Sequence, residues 1–353
     1  MKKRILALMM VAVMLLSLAA CGGSPAQGES GESKTEGGDD KVIRVGMVTD
    51  VGGINDHSFN ETSWKGLQQA ETELGIETKY VQSNQDSDYN TNIQTLLDDG
   101  YDLIICVGFK LAQATRAAAE ANPDQKFAII DDASNQDLPN VACLMFEQAQ
   151  ASYLVGVVAG MMTEKNNVGF VIGENTGPMN QFGYGYLAGV LDTNPNATIQ
   201  QYNANSFTDA GSGKTAAKDM ITKGADVIYH AAGAVGAGVI EACNEEKVWA
   251  IGVDTDQSSL APDVVLTSAM KRVDNASYDI AKAVLEGTFS AGVHVYGMEN
   301  GGVDIAPTTT LLPEEVLSAV EKAKEDILAG NIVVPSDQAS FEAKYGDVYK
   351  LDD

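Results

Sequence analysis

Short continuous apolar runs alternate with helical stretches along most of this chain, and that alternation restricts the fold more than any other feature. Residues 42–48 read as a strand and 60–74 as a helix. A strand at 77–81, a helix at 89–99, a strand at 102–107, a helix at 111–121 and a strand at 126–130 follow. Runs such as Leu103 to Val107 are apolar throughout, which suits strands covered on both faces and hence a parallel sheet between helices. After a strand at 141–145 and a helix at 147–163 the rhythm restarts. Strands are expected at 168–172, 199–203, 226–230 and 248–253 with helices between them, then a strand at 264–269 and a helix at 275–286. Two short strands fall within 294–305, and a last helix over 313–328 is stopped by Gly330. Two successive blocks of this kind predict an α/β fold with two doubly wound parallel-sheet lobes. Ligands in such sheets bind beyond the carboxyl ends of the strands, so two facing lobes would share a cleft lined by those ends.

The first forty residues read differently. Lys2, Lys3 and Arg4 precede an apolar run from Ile5 to Leu18, and Leu18, Ala19, Ala20 and Cys21 close it. At about 14 residues the run is short for a spanning helix; it has the form of a secretory signal, 1–20. Its ending resembles a bacterial lipobox, in which Cys21 becomes the lipidated first residue. An ordinary signal peptide with a chance cysteine is the plainer alternative. Residues 22–40, which with Cys21 make up the segment 21–40, favour the lipoprotein, because they are mostly Gly, Ser, Glu, Asp and Lys with almost nothing apolar and make a flexible tether. The expected location is the outer side of the cell membrane, held by the lipid on Cys21.

The net charge is −26, and loss of the leader cations makes it more negative. Such a chain does not bind nucleic acid or anionic lipid through a general field. Cys106, Cys143 and Cys243 lie in apolar or helical runs and are expected as buried free thiols. The three histidines, His57, His230 and His294, form no spaced metal set and no triad. No catalytic residue, metal or cofactor is expected, and the chain reads as a binding protein rather than an enzyme.

The strand ends carry the candidate site. The first runs into a glycine-containing loop from Thr49 to Asn60, with Asp50 at the tip and Phe59 as a large apolar group among polar neighbours; Ser58 or Asn60 is expected to cap the helix that follows. The strand ending at Ile130 leads to Asp131 and Asp132, one a turn residue and the other directed to the cleft. Phe207 is again an aromatic in a polar loop. Gly211, Gly213 and Lys214 nearby imitate a phosphate loop, but Thr208 stands where that loop needs glycine, and Asp209 reads better as a helix cap. His230 reads as an ordinary strand-end histidine, and the small residues from Ala231 to Gly238 permit close backbone approach to a helix or to a ligand. Asp254 closes a later strand, and Lys271 brings a cation to a neighbouring strand end, where the two form either a plain salt bridge or part of a site.

Taken in order, the stretches 49–60, 182–189, 206–209, 230–233, 251–257 and 267–274 resemble the basic membrane protein (BMP) family of nucleoside-binding lipoproteins. The resemblance implies a type I periplasmic-binding-protein fold, with lobes joined by hinge crossovers. It also implies capture of a purine nucleoside for an ABC importer, with permease and ATPase subunits as partners and a monomeric receptor. By motif, Phe59 and Phe207 would sandwich the base, Asp50 and Asp131 would lie along its side of the site, and Gly233, Asp254 and Lys271 would hold the ribose, with Asn60 a further ligand-binding residue. His57 stands where relatives often carry lysine. The implied lobes are 41–146 with about 272–295, and 147–271 with about 296–353. A sugar or other small polar solute, a sensing role uncoupled from import, and a nucleosidase are the competing functions.

Overall fold

The computed structural model describes residues 42–351; Cys21, the leader and the tether lie outside them. The first block contains β1 (Arg44–Val48), α1 (Phe59–Leu74), β2 (Glu77–Val81), α2 (Tyr89–Asp98), β3 (Leu103–Val107), α3 (Ala112–Ala121), β4 (Lys126–Ile130) and β5 (Val141–Phe146). The second contains α4 (Gln148–Met162), β6 (Asn167–Ile172), α5 (Gly177–Thr193), β7 (Thr198–Asn203), α6 (Ala210–Thr222), β8 (Val227–Ala231), α7 (Ala234–Glu246), β9 (Trp249–Asp254) and β10 (Val265–Lys271). Then come α8 (Val273–Leu285), β11 (Gly292–Tyr296), β12 (Val303–Ile305), α9 (Glu314–Leu328) and α10 (Gln338–Tyr345).

The strands form two six-stranded sheets of matching order, β2-β1-β3-β4-β5-β11 and β7-β6-β8-β9-β10-β12. The first is parallel throughout; in the second, β12 runs antiparallel to β10. The chain passes between sheets after β5, after β10 and after β11, so three crossovers join the lobes. This is the type I periplasmic-binding-protein architecture. Every residue of β3 and β8 is buried, as expected of inner strands with helices on both faces.

α4, reached by the first crossover, is buried on nearly all sides and packs on α5. Two glycines make that approach possible: a Cβ at Gly185 or Gly189 would lie 2.1 Å from the carbonyl oxygen of Ala149 or Tyr153. The small residues of the 182–189 stretch therefore serve helix packing.

Two elements differ from the sequence reading. β10 runs to Lys271 because β12 pairs with its end, Lys271 opposite Val303. α10 was not anticipated: it is eight residues long, buries Phe341 alone, and is marked by Asp337, whose carboxylate accepts from Ser340 N at 2.8 Å.

Candidate ligand-binding site

Strand order reverses between β1 and β3 in one sheet and between β6 and β8 in the other, which opens a crevice at the carboxyl end of each. The two crevices form one cavity with about 580 Å³ of empty space, its solvent-filled mouth included. All eight residues named from the sequence line it: Asp50, Phe59, Asn60 and Asp131 from the first lobe, and Phe207, Gly233, Asp254 and Lys271 from the second.

The β1–α1 loop is organised by Asp56, which the sequence reading had not singled out. Ser58 stands at the N-cap position of α1 without making a side-chain cap bond. Instead, the Asp56 carboxylate accepts from the backbone N–H of Ser58, Asn60 and Glu61 at 3.0, 2.8 and 3.1 Å, leaving Ser58 Oγ free to donate across the cleft to Asp254. Asn60 is buried and works within its own lobe. Its Nδ2 donates to Asp50 Oδ1 at 2.7 Å and Asp56 Oδ2 at 3.0 Å, and its Oδ1 accepts from Asp50 N at 3.2 Å. Asn60 thus fixes Asp50 at the cavity wall.

Asp131 and Asp254 end the equivalent strands β4 and β9, and both take left-handed backbone angles, φ 65° and 64°. Such angles are costly for a residue with a Cβ and concentrate at functional sites. Of the Asp131 and Asp132 pair, Asp131 enters the cavity, while Asp132 accepts from Ser134 N at 2.8 Å in an outer turn. Lys271 pairs with Asp131, not with Asp254 as the simple salt-bridge alternative had it. The pair is almost wholly buried, at 2% and 6% side-chain exposure, and Asp131 Oδ1 has no protein partner. The Lys271 ammonium also lies 4.9, 5.0 and 5.6 Å from the ring centres of Phe59, Phe146 and Phe182, an aromatic cage that offsets part of its desolvation.

Phe207 packs over backbone. A Cβ at Gly173 would lie 2.3 Å from its Cε1, and one at Gly233 would lie 3.1 Å from its carbonyl oxygen. Gly233 has φ 56°, so its lack of a side chain serves both the turn and the approach. Lys110, absent from the sequence reading, and Phe182, which opens the 182–189 stretch but was not assigned to the site, also line the cavity. The signal for Lys110 was a glycine, an aromatic and a cation directly after the apolar β3.

Other readings resolve simply. Asp209 caps α6, accepting from Ser212 N at 3.1 Å, and Lys214 bridges Glu241 and Glu245 at 2.7 Å on the outer surface. His230 is buried with Nε2 3.0 Å from Gln257 Oε1, and burial lowers it to about 4, which keeps it neutral. Cys106, Cys143 and Cys243 are buried free thiols.

Burial raises Asp50 to about 6, against the hydrogen bonds from Asn60 and Gly52. Burial likewise raises Asp254 to about 6, against Lys271 and Ser58. A carboxyl raised on folding binds its proton more tightly in the folded state, so the stability it contributes is fully present at low pH and is lost as pH rises through about 6. His230, lowered, acts in the opposite direction as pH falls, so the sign is best read as a difference. Ligand-free Asp254→Asn is expected to be more stable than the parent at about pH 8, by on the order of 2–3 kcal/mol. The gap should close as pH falls through about 6. Urea unfolding across that range checks it, and a pH-independent difference would refute it.

Two facing α/β lobes around a cavity of this kind define a solute-binding protein. The chain matches the model of the PnrA-like ABC transporter substrate-binding protein family over residues 43–338, and it belongs to that family. It is 40% identical to the CD4+ T-cell-stimulating antigen of Listeria innocua, over 95% of this chain and 99% of that protein. It is 38% identical to the ABC transporter nucleoside-binding protein BmpA of Lactococcus lactis, over 95% and 100% of the two chains. Among solved structures it resembles an ABC transporter solute-binding protein from Aeropyrum pernix, with TM-score 0.77, 28% identity and coverage of 85% and 96%.

Proposed function

We propose that this chain is the extracytoplasmic capture subunit of an ABC importer and that its cleft takes a purine nucleoside. One observation carries the reading: a cavity between two lobes is walled by an aromatic ring from each, Phe59 and Phe207, and edged by carboxylates. Flat rings offer stacking worth roughly 1–3 kcal/mol per base. Carboxylate oxygens at Asp50, Asp131 and Asp254 ask for a ligand rich in donors, and a ribose diol with base N–H groups is such a ligand. The nucleoside-binding name of the Lactococcus lactis relative supports the same choice.

The lobes are taken as 41–146 with about 272–295, and 147–271 with about 296–353, in keeping with which strands share a sheet. Contacts across the cleft suit capture by hinge closure: Lys271 to Asp131, Ser58 to Asp254, Lys110 to Glu174 at 2.5 Å, and Gln257 Nε2 to the His57 carbonyl at 3.0 Å. The closed form is then what the permease and ATPase subunits respond to. Lipidation at Cys21 would hold a monomeric receptor to the membrane, and no helix among the described residues is long and apolar enough to cross it.

Phe59→Ala and Phe207→Ala are each expected to weaken purine nucleoside binding at least tenfold, about 1.4 kcal/mol of lost stacking. Unfolding midpoints should stay near the parent's, because both rings are only partly buried. Calorimetric titration of the two variants tests the reading; unchanged affinity in either removes that ring from the site.

A further inference from the structure

Two polar groups near the aromatic walls, Asp50 and Lys110, have a pattern of their own. Asp50 Oδ1 is saturated, accepting from Asn60 Nδ2 at 2.7 Å and from Gly52 N at 2.8 Å. Oδ2 faces the other way, toward Gly108, where an added Cβ would lie 3.5 Å from Oδ2 and 3.4 Å from Phe59 Cε1. The free oxygen therefore stands beside the Phe59 ring, where the edge of a stacked base arrives. Asn60 has no donor to add there, because both its amide hydrogens are spent on Asp50 and Asp56.

The charges acting on Asp50 are Asp56, with which it shares the Asn60 amide donor, and Lys110. Lys110 follows β3, holds Glu174 of the other lobe at 2.5 Å, and sits 5.6 Å from the centre of the Phe207 ring. An ammonium has three hydrogens, so it can donate to a ligand as well as to Glu174. The wall thus presents one acceptor and one donor. Asp50, at about 6, is ionised at neutral pH and above and serves as an acceptor there.

Purines differ on the edge that would meet this pair. A 6-oxopurine presents a carbonyl acceptor beside a ring N–H donor. Adenine presents an amino donor beside a ring lone pair, the reverse order. Building on the nucleoside reading above, we propose that Asp50 accepts the ring N–H and Lys110 donates to the carbonyl, making the site selective for 6-oxopurine nucleosides over adenosine. A site that hydrogen-bonds a specific donor rejects analogues lacking it, because its own groups are left opposed or unpaired.

The test is calorimetric titration at about pH 8 of the globular body from residue 41 onward, using inosine, 1-methylinosine and adenosine on the parent and on Asp50→Asn. The substitution keeps Oδ1 for Asn60 and Gly52 and exchanges Oδ2 for an amide donor. Inosine should bind the parent at least tenfold more tightly than adenosine or 1-methylinosine, which lacks the ring N–H. Asp50→Asn should lose at least tenfold for inosine and gain for adenosine. Binding of all three ligands to the parent within threefold of one another, or equal loss for inosine and adenosine in Asp50→Asn, would overturn this selectivity while leaving the nucleoside reading intact. Silence of the parent toward every nucleoside would overturn both. The methylated ligand needs no variant, so the outcome does not depend on Asp50→Asn folding.

Discussion

Asp254→Ala should weaken nucleoside binding by a hundredfold or more, the largest single-residue effect this structure implies. Asp254 lies at the carboxyl end of β9 with one oxygen on Ser58 of the opposite lobe, and its carboxylate lines the cavity beside Val253 and Gly233. A ribose diol directs two O–H donors at one carboxylate. Hydrogen bonds to a charged acceptor contribute about 1.5–3 kcal/mol each, so two of them account for roughly 3–6 kcal/mol, or about 10²–10⁴ in affinity. The substitution also removes the link from Ser58 that helps the lobes close. Folding should not suffer in proportion, because the lost group is a buried carboxylate raised to about 6 and is itself costly when ionised. Loss of affinity with retained stability is the expected signature. A 2′-deoxynucleoside should bind the parent more weakly than its ribose counterpart, and Asp254→Ala should no longer distinguish them. Affinity within threefold of the parent would remove Asp254 from the sugar subsite.

Exclusion of phosphate is the second large effect. Asp50, Asp56, Asp131 and Asp254 all line the cavity, and the two lysines among the lining residues are engaged, Lys271 with Asp131 and Lys110 with Glu174. A 5′-phosphate entering here would bring up to two negative charges into a carboxylate-rich space in which the charge of each lysine is already offset by a carboxylate. Burial of an uncompensated charge costs several kcal/mol. Inosine is therefore expected to bind at least a hundredfold more tightly than its 5′-monophosphate in competition titrations. Equal affinity would mean that the phosphate remains in solvent or that the cleft opens differently from the arrangement described.

The fold was legible in the sequence because each inner strand is an apolar run bounded by turn residues. β3 and β4 are examples, with bounds expected to within a residue. α10 was not legible, since one buried phenylalanine sets no period. For the site, Asp50, Phe59, Phe207 and Asp254 could be placed because each interrupts the expected character of a strand end: a carboxylate at a tip, or an aromatic in a polar loop. The partnerships were another matter. Nothing local indicates that Lys271 meets Asp131, 140 residues away in the chain, rather than Asp254, or that Ser58 reaches Asp254 instead of capping α1. Those choices depend on how the two lobes face each other, which strand periodicity does not encode. Asp56 was missed for a related reason: a carboxylate that caps a helix two residues before the usual position looks, in sequence, like any loop aspartate.

The central claim is that the cleft between the lobes captures purine nucleosides. Isothermal titration of the globular body from residue 41 onward against purine nucleosides, free bases and ribose tests it most directly. The account predicts affinity of about micromolar or tighter for the nucleosides, near −8 kcal/mol, weaker binding of free bases and silence with ribose. A folded protein that carries no bound ligand through purification and gives no heat with any nucleoside, or that binds ribose as well as it binds inosine, would contradict it.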